Sequence, residues 1–223
     1  MTERDSCTGS DFCQELAGAE DVTFRRIYSG SPPGRIIGRG SALALLADMS
    51  PLTWGHLLLI PTAHYVSFGA VMCDHAEDVA TALKRIVPLY AASFGNPVFL
   101  EHGSTMAMEG SACVTHAHIH LLPLPFSEVN ALMAGDGLAP TTLGDLADLE
   151  QFGYDDRPYF YCGDTAEHQV YAAIQARPRQ YLRSVAGRIL GIPDPEWDYA
   201  VVVRKDVLMA TMKETARWRL SLP

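Results

Sequence analysis

A chain of 223 residues, 48% of them hydrophobic and 19% charged, is long enough to bury a substantial core. Its formal net charge of −9 argues against broad binding to nucleic acid or to an anionic membrane surface, although a local cluster of donors can still hold a small anionic ligand. No apolar run approaches the ~18–20 residues that span a bilayer, and the polar opening MTERDSCTGSDF lacks the basic and apolar regions of a secretory signal.

Five scattered cysteines, an odd number, do not suggest a disulfide framework. A soluble, cytoplasmic protein is expected. In chain order, residues 1–10 read as a loose tail. IYSGSPPGR, residues 27–35, reads as a turn-rich connector between two short apolar strands. SALALLADMSPLTWGHLLLIP, residues 41–61, reads as strand, turn, strand, the second strand ended by Pro61. Apolar residues at helical spacing predict a helix over 77–95, with Gly95 past its end and Pro88 as a possible bend. PVFLEHG, residues 97–103, reads as another strand. Residues 126–176 mix Gly, Asp and Pro with short apolar pieces and yield no firm elements. Helices are expected at 178–191, closed by Gly191, and at 207–220.

Three of the eight histidines fall in VTHAHIHLLPLP, residues 114–125. On a β-strand, alternate positions share a face at ~6.6–7 Å spacing, so His116, His118 and His120 form one polar row backed by Ala117, Ile119 and Leu121. A neutral ring nitrogen can attack phosphorus, and a ring N–H can donate to phosphate oxygens. Such a row can equally ligate a metal.

The run His116-Ala117-His118-Ile119-His120-Leu121-Leu122 resembles the signature of the histidine-triad (HIT) superfamily of nucleotide hydrolases and transferases. DMSPLTWGHLLLIPTAH, from Asp48 to His64, resembles a second segment of that family. FLEHG, followed by a loop ending in Cys113, is similar to a longer bacterial subgroup. The resemblance implies an α+β fold: an antiparallel sheet carrying the triad strand, with the 77–95 helix packed on it. A HIT-like domain over 12–125 and a C-terminal helical extension over 126–223, packed on the same domain, are expected.

The resemblance also implies roles. His118 would attack a nucleotide α-phosphorus and form a nucleotidyl-imidazole, His120 would donate to phosphate oxygens, and His116 and His64 would contact the phosphate or fix its geometry. Asp48 matches the carboxylate that holds ribose hydroxyls. Glu101 stands where the family commonly has Asn, and Ala112-Cys113 where it has Gln-Ser, which leaves the leaving-group acid open. Gln180 and Arg183, near the start of a helix, would hold phosphate. A homodimer follows from the habit of the family, and no cofactor is implied.

Some relatives hold zinc with two cysteines usually two residues apart and histidines equivalent to His64 and His116. Cys7 and Cys13 have five residues between them, and no metal is expected. His56 reads as a satisfied core or edge histidine, His75 and His168 as solvated, and His102 as either a loop support or a substrate contact. Trp197 and Trp218 read as core or lid aromatics. The predicted reaction is hydrolysis at a nucleotide α-phosphate in a nucleotidylated small molecule or dinucleoside polyphosphate. Transfer to an acceptor other than water, and nucleotide binding without turnover, are the alternatives.

Overall fold

The computed structural model describes residues 10–105, 116–173, 177, 180–193 and 203–223. Two short helices, α1 (Asp11–Leu16) and α2 (Thr23–Tyr28), precede the strands β1 (Ile36–Arg39), β2 (Leu43–Ala47) and β3 (Leu57–Pro61). The long helix α3 (Phe68–Phe94) and strand β4 (Val98–Gly103) follow, and then the triad strand β5 (Ile119–Leu122). The C-terminal half supplies α4 (Phe126–Gly135), β6 (Pro140–Leu143), a 3-10 turn at Leu146–Leu149 and α5 (Glu150–Tyr154). It ends with β7 (Tyr159–Gly163), β8 (His168–Ala172), α6 (Tyr181–Ile189) and α7 (Lys205–Thr215).

All eight strands join one antiparallel sheet in the order β1-β2-β3-β5-β4-β7-β8-β6. The fold is α+β, as expected, and the C-terminal half contributes strands as well as helices. β7 pairs along β4 from Phe99↔Gly163 to Gly103↔Tyr159, so the extension continues the sheet.

Strand alternation divides the core in two. Leu57, Leu59, Ile119, Leu121, Phe99, Tyr159 and Tyr161 point to the α3 side, where they meet Phe68, Val71, Val79, Ile86 and Tyr90. On the opposite face, Val98, Leu100, Leu122, Phe160 and Cys162 pack with residues of α4 and α6, while Phe12 and Leu16 of α1 pack on Leu46, Leu58 and Ile60.

Helix α3 starts nine residues before its predicted position. Ser67 caps it, its side chain accepting from the Ala70 N–H at 3.2 Å. Its backbone departs from helical values at His75 rather than at Pro88, and Gly95 ends it at φ 95°. The segment before β1, expected as a strand, is α2. The predicted 178–191 helix is α6 at 181–189, and the predicted 207–220 helix ends at Thr215.

Candidate active site

The triad lies at the entry to β5: Ile119 and His120 are in the ladder, and His116 and His118 just precede it. His120 pairs with Leu58 of β3 and Leu100 of β4, which puts it on the face opposite α3. His118 is half-buried, and its ring lies 4.9 Å from that of His120. Phe12, on α1, closes one side at 5.8 Å from the His118 ring.

Hydrogen bonds fix the two proton positions that matter. His118 Nδ1 lies 2.8 Å from the His116 carbonyl oxygen. A carbonyl only accepts, so Nδ1 carries the proton and the Nε2 lone pair is left for chemistry. Burial pulls the His118 pKa down, with the His116 carbonyl and the Asp48 charge opposing it. The ring is therefore neutral near pH 7.

His120 is set by a residue that the sequence reading treated as core. The Leu52 N–H donates to His56 Nδ1 at 3.1 Å, so the His56 proton resides on Nε2. His56 Nε2 then donates to His120 Nδ1 at 2.9 Å, and the proton of His120 is left on its own Nε2. Burial holds His56 down at about 4 and His120 well below the usual imidazole value. His56 thus acts as an orienter of the triad. Its place on the same strand face as Leu58 and Ile60 was the available signal, but the partner lies 64 residues away.

The structure gives Asp48 and Arg183 partners other than those the resemblance implies. Asp48 is 6% exposed and accepts from the Ser50 N–H at 2.7 Å and from Arg183 Nη1 at 3.1 Å. Arg183, on α6, also donates to the Ser50 carbonyl at 2.6 Å. Burial raises the Asp48 carboxyl, but Arg183, His56 and His120 together hold it well below the usual carboxylate range. The pair ties the C-terminal half to the β2–β3 turn.

Glu101 has partners of another kind. It sits on the α3 face, where Oε1 accepts from the Phe68 N–H at 2.5 Å and Oε2 from the Tyr159 hydroxyl at 2.6 Å. Its partners belong to the start of α3, and it does not face the triad. Gln180 takes the N-cap position of α6 in the left-handed region at φ 60°, without a side-chain cap. Cys113 and Trp197 lie outside the described residues. Trp218 packs 5.9 Å from Phe94 and donates to Ser93, a structural contact. His75 bonds Asp78, and His168 bonds the Tyr161 hydroxyl, where solvated rings were expected.

His64 and His116 form a second cluster with Cys13. Cys13 Sγ lies 3.5 Å from His64 Nδ1 and 3.3 Å from His116 Nδ1. His116 donates its Nε2 proton to the Pro61 carbonyl at 3.0 Å, which turns the Nδ1 lone pair toward Cys13. Tetrahedral zinc, with bonds of about 2.3 Å to sulfur and about 2.0–2.1 Å to nitrogen, places those atoms about 3.5 Å apart. The three donors fit such an ion, and Ser10, three residues before Cys13 on α1, has a buried hydroxyl oxygen without a hydrogen-bond partner. Cys13, His64 and His116 would hold it, and its contribution would be to fasten α1 to the triad strand. Asp48, His56 and His120 also lie close together, but the proton on His56 Nε2 and the Arg183 charge oppose a cation there.

No family profile matches the chain. Among curated proteins it is 30% identical over 118 residues to an uncharacterized HIT-like protein of Chlamydia muridarum, covering 51% of this chain and 90% of that one. It is 26% identical over 121 residues to adenylylsulfatase HINT3 of Arabidopsis thaliana, covering 53% of this chain and only 58% of the length of that relative. A solved structure titled HIT family hydrolase, from Clostridium thermocellum, aligns over 54% of this chain and 94% of its own, with 19% identity and a TM-score of 0.36. With three alternate histidines at the head of a central strand and a HIT-like relative matched over nearly its whole length, this chain belongs to the histidine-triad family.

Proposed function

We propose that the protein hydrolyses a nucleotide at its α-phosphate through a covalent nucleotidyl-histidine on His118. The observation that carries this reading is the 2.8 Å bond from His118 Nδ1 to the His116 carbonyl, which leaves a neutral Nε2 on a half-buried ring. In the first step the Nε2–P bond forms and the bond from phosphorus to the leaving group breaks. The adduct carries a positive imidazolium, which the His116 carbonyl and the nearby Asp48 charge favour. Water then attacks phosphorus, the N–P bond breaks, and a nucleoside monophosphate departs with His118 restored. His120, protonated on Nε2, supplies a donor for a phosphate oxygen throughout.

Neutral histidines are poor proton donors, so the site suits substrates whose leaving group departs as a stable anion. Dinucleoside polyphosphates and mixed anhydrides of a nucleotide meet that condition. The name of the Arabidopsis relative, an adenylylsulfatase, agrees with this class. Incubation with adenylated, guanylated and cytidylated anhydrides, followed by product analysis, tests the proposal. Release of the nucleoside monophosphate in water is the expected result. Products formed only when a second acceptor is added would assign transfer instead, and nucleotide binding without any product would reduce the chain to a binder.

A further inference from the structure

His102 is a further histidine on the face that carries His120, supplied by strand β4. Strand β4 alternates Val98, Leu100 and His102 toward the side opposite α3, and His102 pairs with Phe160 of β7. The β4–β5 register runs Val98↔Leu122, Phe99↔Leu121, Leu100↔His120; His102 lies two residues beyond Leu100 and His118 two residues before His120, and the two rings are near enough for a charge on His118 to lower the His102 value. The ring is held from behind: its centroid lies 4.6 Å from that of Phe160, which itself packs 5.1 Å from Tyr181 of α6.

No hydrogen bond to the His102 ring occurs among the described residues, and its ring nitrogens are not among the buried atoms lacking a partner. A packed, half-buried imidazole with both nitrogens unbonded is a group able to take a ligand. Displacement at phosphorus is in line, so the leaving group departs away from the His118 ring. Side chains flanking the nucleophile on the same sheet face consequently meet the equatorial, non-bridging oxygens. His120 flanks His118 along its own segment, and His102 comes to the same sheet face from the neighbouring strand β4.

We propose that His102 donates a ring N–H to one non-bridging oxygen of the α-phosphate, so that two strands, and not the triad strand alone, hold the phosphoryl group. This rests on His118 being the nucleophile. No proton is transferred; His102 stays neutral through both steps, in keeping with the low value of about 4 to which burial brings it.

The test uses the full-length chain and the two phosphorus diastereomers of the p-nitrophenyl ester of adenosine 5′-phosphorothioate, in which sulfur replaces one non-bridging oxygen or the other. His102→Phe keeps the ring packed on Phe160 and removes both nitrogens, and His102→Asn returns a donor. The native chain should prefer one diastereomer. The Phe variant, with an unchanged melting temperature, should shift that preference by about 10-fold, the loss of one hydrogen bond to a charged group, and Asn should restore part of it. An unchanged ratio, whether activity persists or falls equally for both, would overturn the proposal. Failure of the native chain to form any adduct or to turn over either ester would overturn the nucleophile assignment and this inference with it.

Discussion

At the scale of single residues, the proposed chemistry depends on where three protons sit. Backbone groups decide two of them: the His116 carbonyl fixes His118, and the Leu52 amide fixes His56, which fixes His120 in turn. Replacing His56 with Phe keeps an aromatic ring of similar bulk but removes the donor to His120 Nδ1. The expected outcome is a fall in kcat of about 10–100-fold, with KM little changed, because a preorganised donor acts mainly in the transition state. Nitrogen-15 NMR of the ring should show His120 in a single neutral tautomer in the native chain and a mixture in the variant. The triad itself was legible, because strand alternation alone aligns its rings. His56 was not: an isolated histidine in GHLLLIP looks like a core residue until β3 is laid beside β5.

At the scale of elements, ties between distant segments explain both what the sequence disclosed and what it hid. Strands β2, β3 and β4 follow from apolar runs bounded by Pro, Gly and Asn. The start of α3 does not, since its N-terminal amide at Phe68 is satisfied by Glu101, 33 residues later. The short strands within 126–176 carry little signal of their own because pairing specifies them: β7 with β4, an element far earlier in the chain, β8 with β7, and β6 with β8. Burial raises the Glu101 carboxyl to about 7, against the lowering bonds from Phe68 and Tyr159. A raised folded-state value contributes stability that is complete below the ordinary carboxylate pKa and lost as pH rises through about 7. Glu101→Gln should therefore flatten the decline in melting temperature between pH 5 and pH 8 relative to the native chain; parallel curves would contradict it. The Arg183–Asp48 pair is almost fully enclosed. Arg183→Met strands a buried carboxylate and should destabilise the fold by about 3–5 kcal/mol in urea unfolding, with Asp48→Asn in the same background recovering part of the loss.

At the scale of the molecule, one continuous sheet joins the two halves, and the C-terminal half completes it. β4 has β5 on one edge and β7 on the other, so any homodimer uses a surface other than the edges of β4. Truncation after residue 125 would strip β7 from that strand and remove the α4 and α6 side chains that cover Val98 and Leu100. An aggregating, poorly folded fragment is expected, and a soluble fragment with a cooperative melt would contradict this view of the core. In the proposed function the whole arrangement serves one ring nitrogen, His118 Nε2, as the nucleophile toward phosphorus. Its most direct test is rapid acid-free quenching with an adenylated anhydride, followed by peptide mass spectrometry. The account predicts one adenylyl group on His118, absent from His118→Ala and transient in the native chain; an adduct on any other residue, or product formed with His118 replaced, would contradict it.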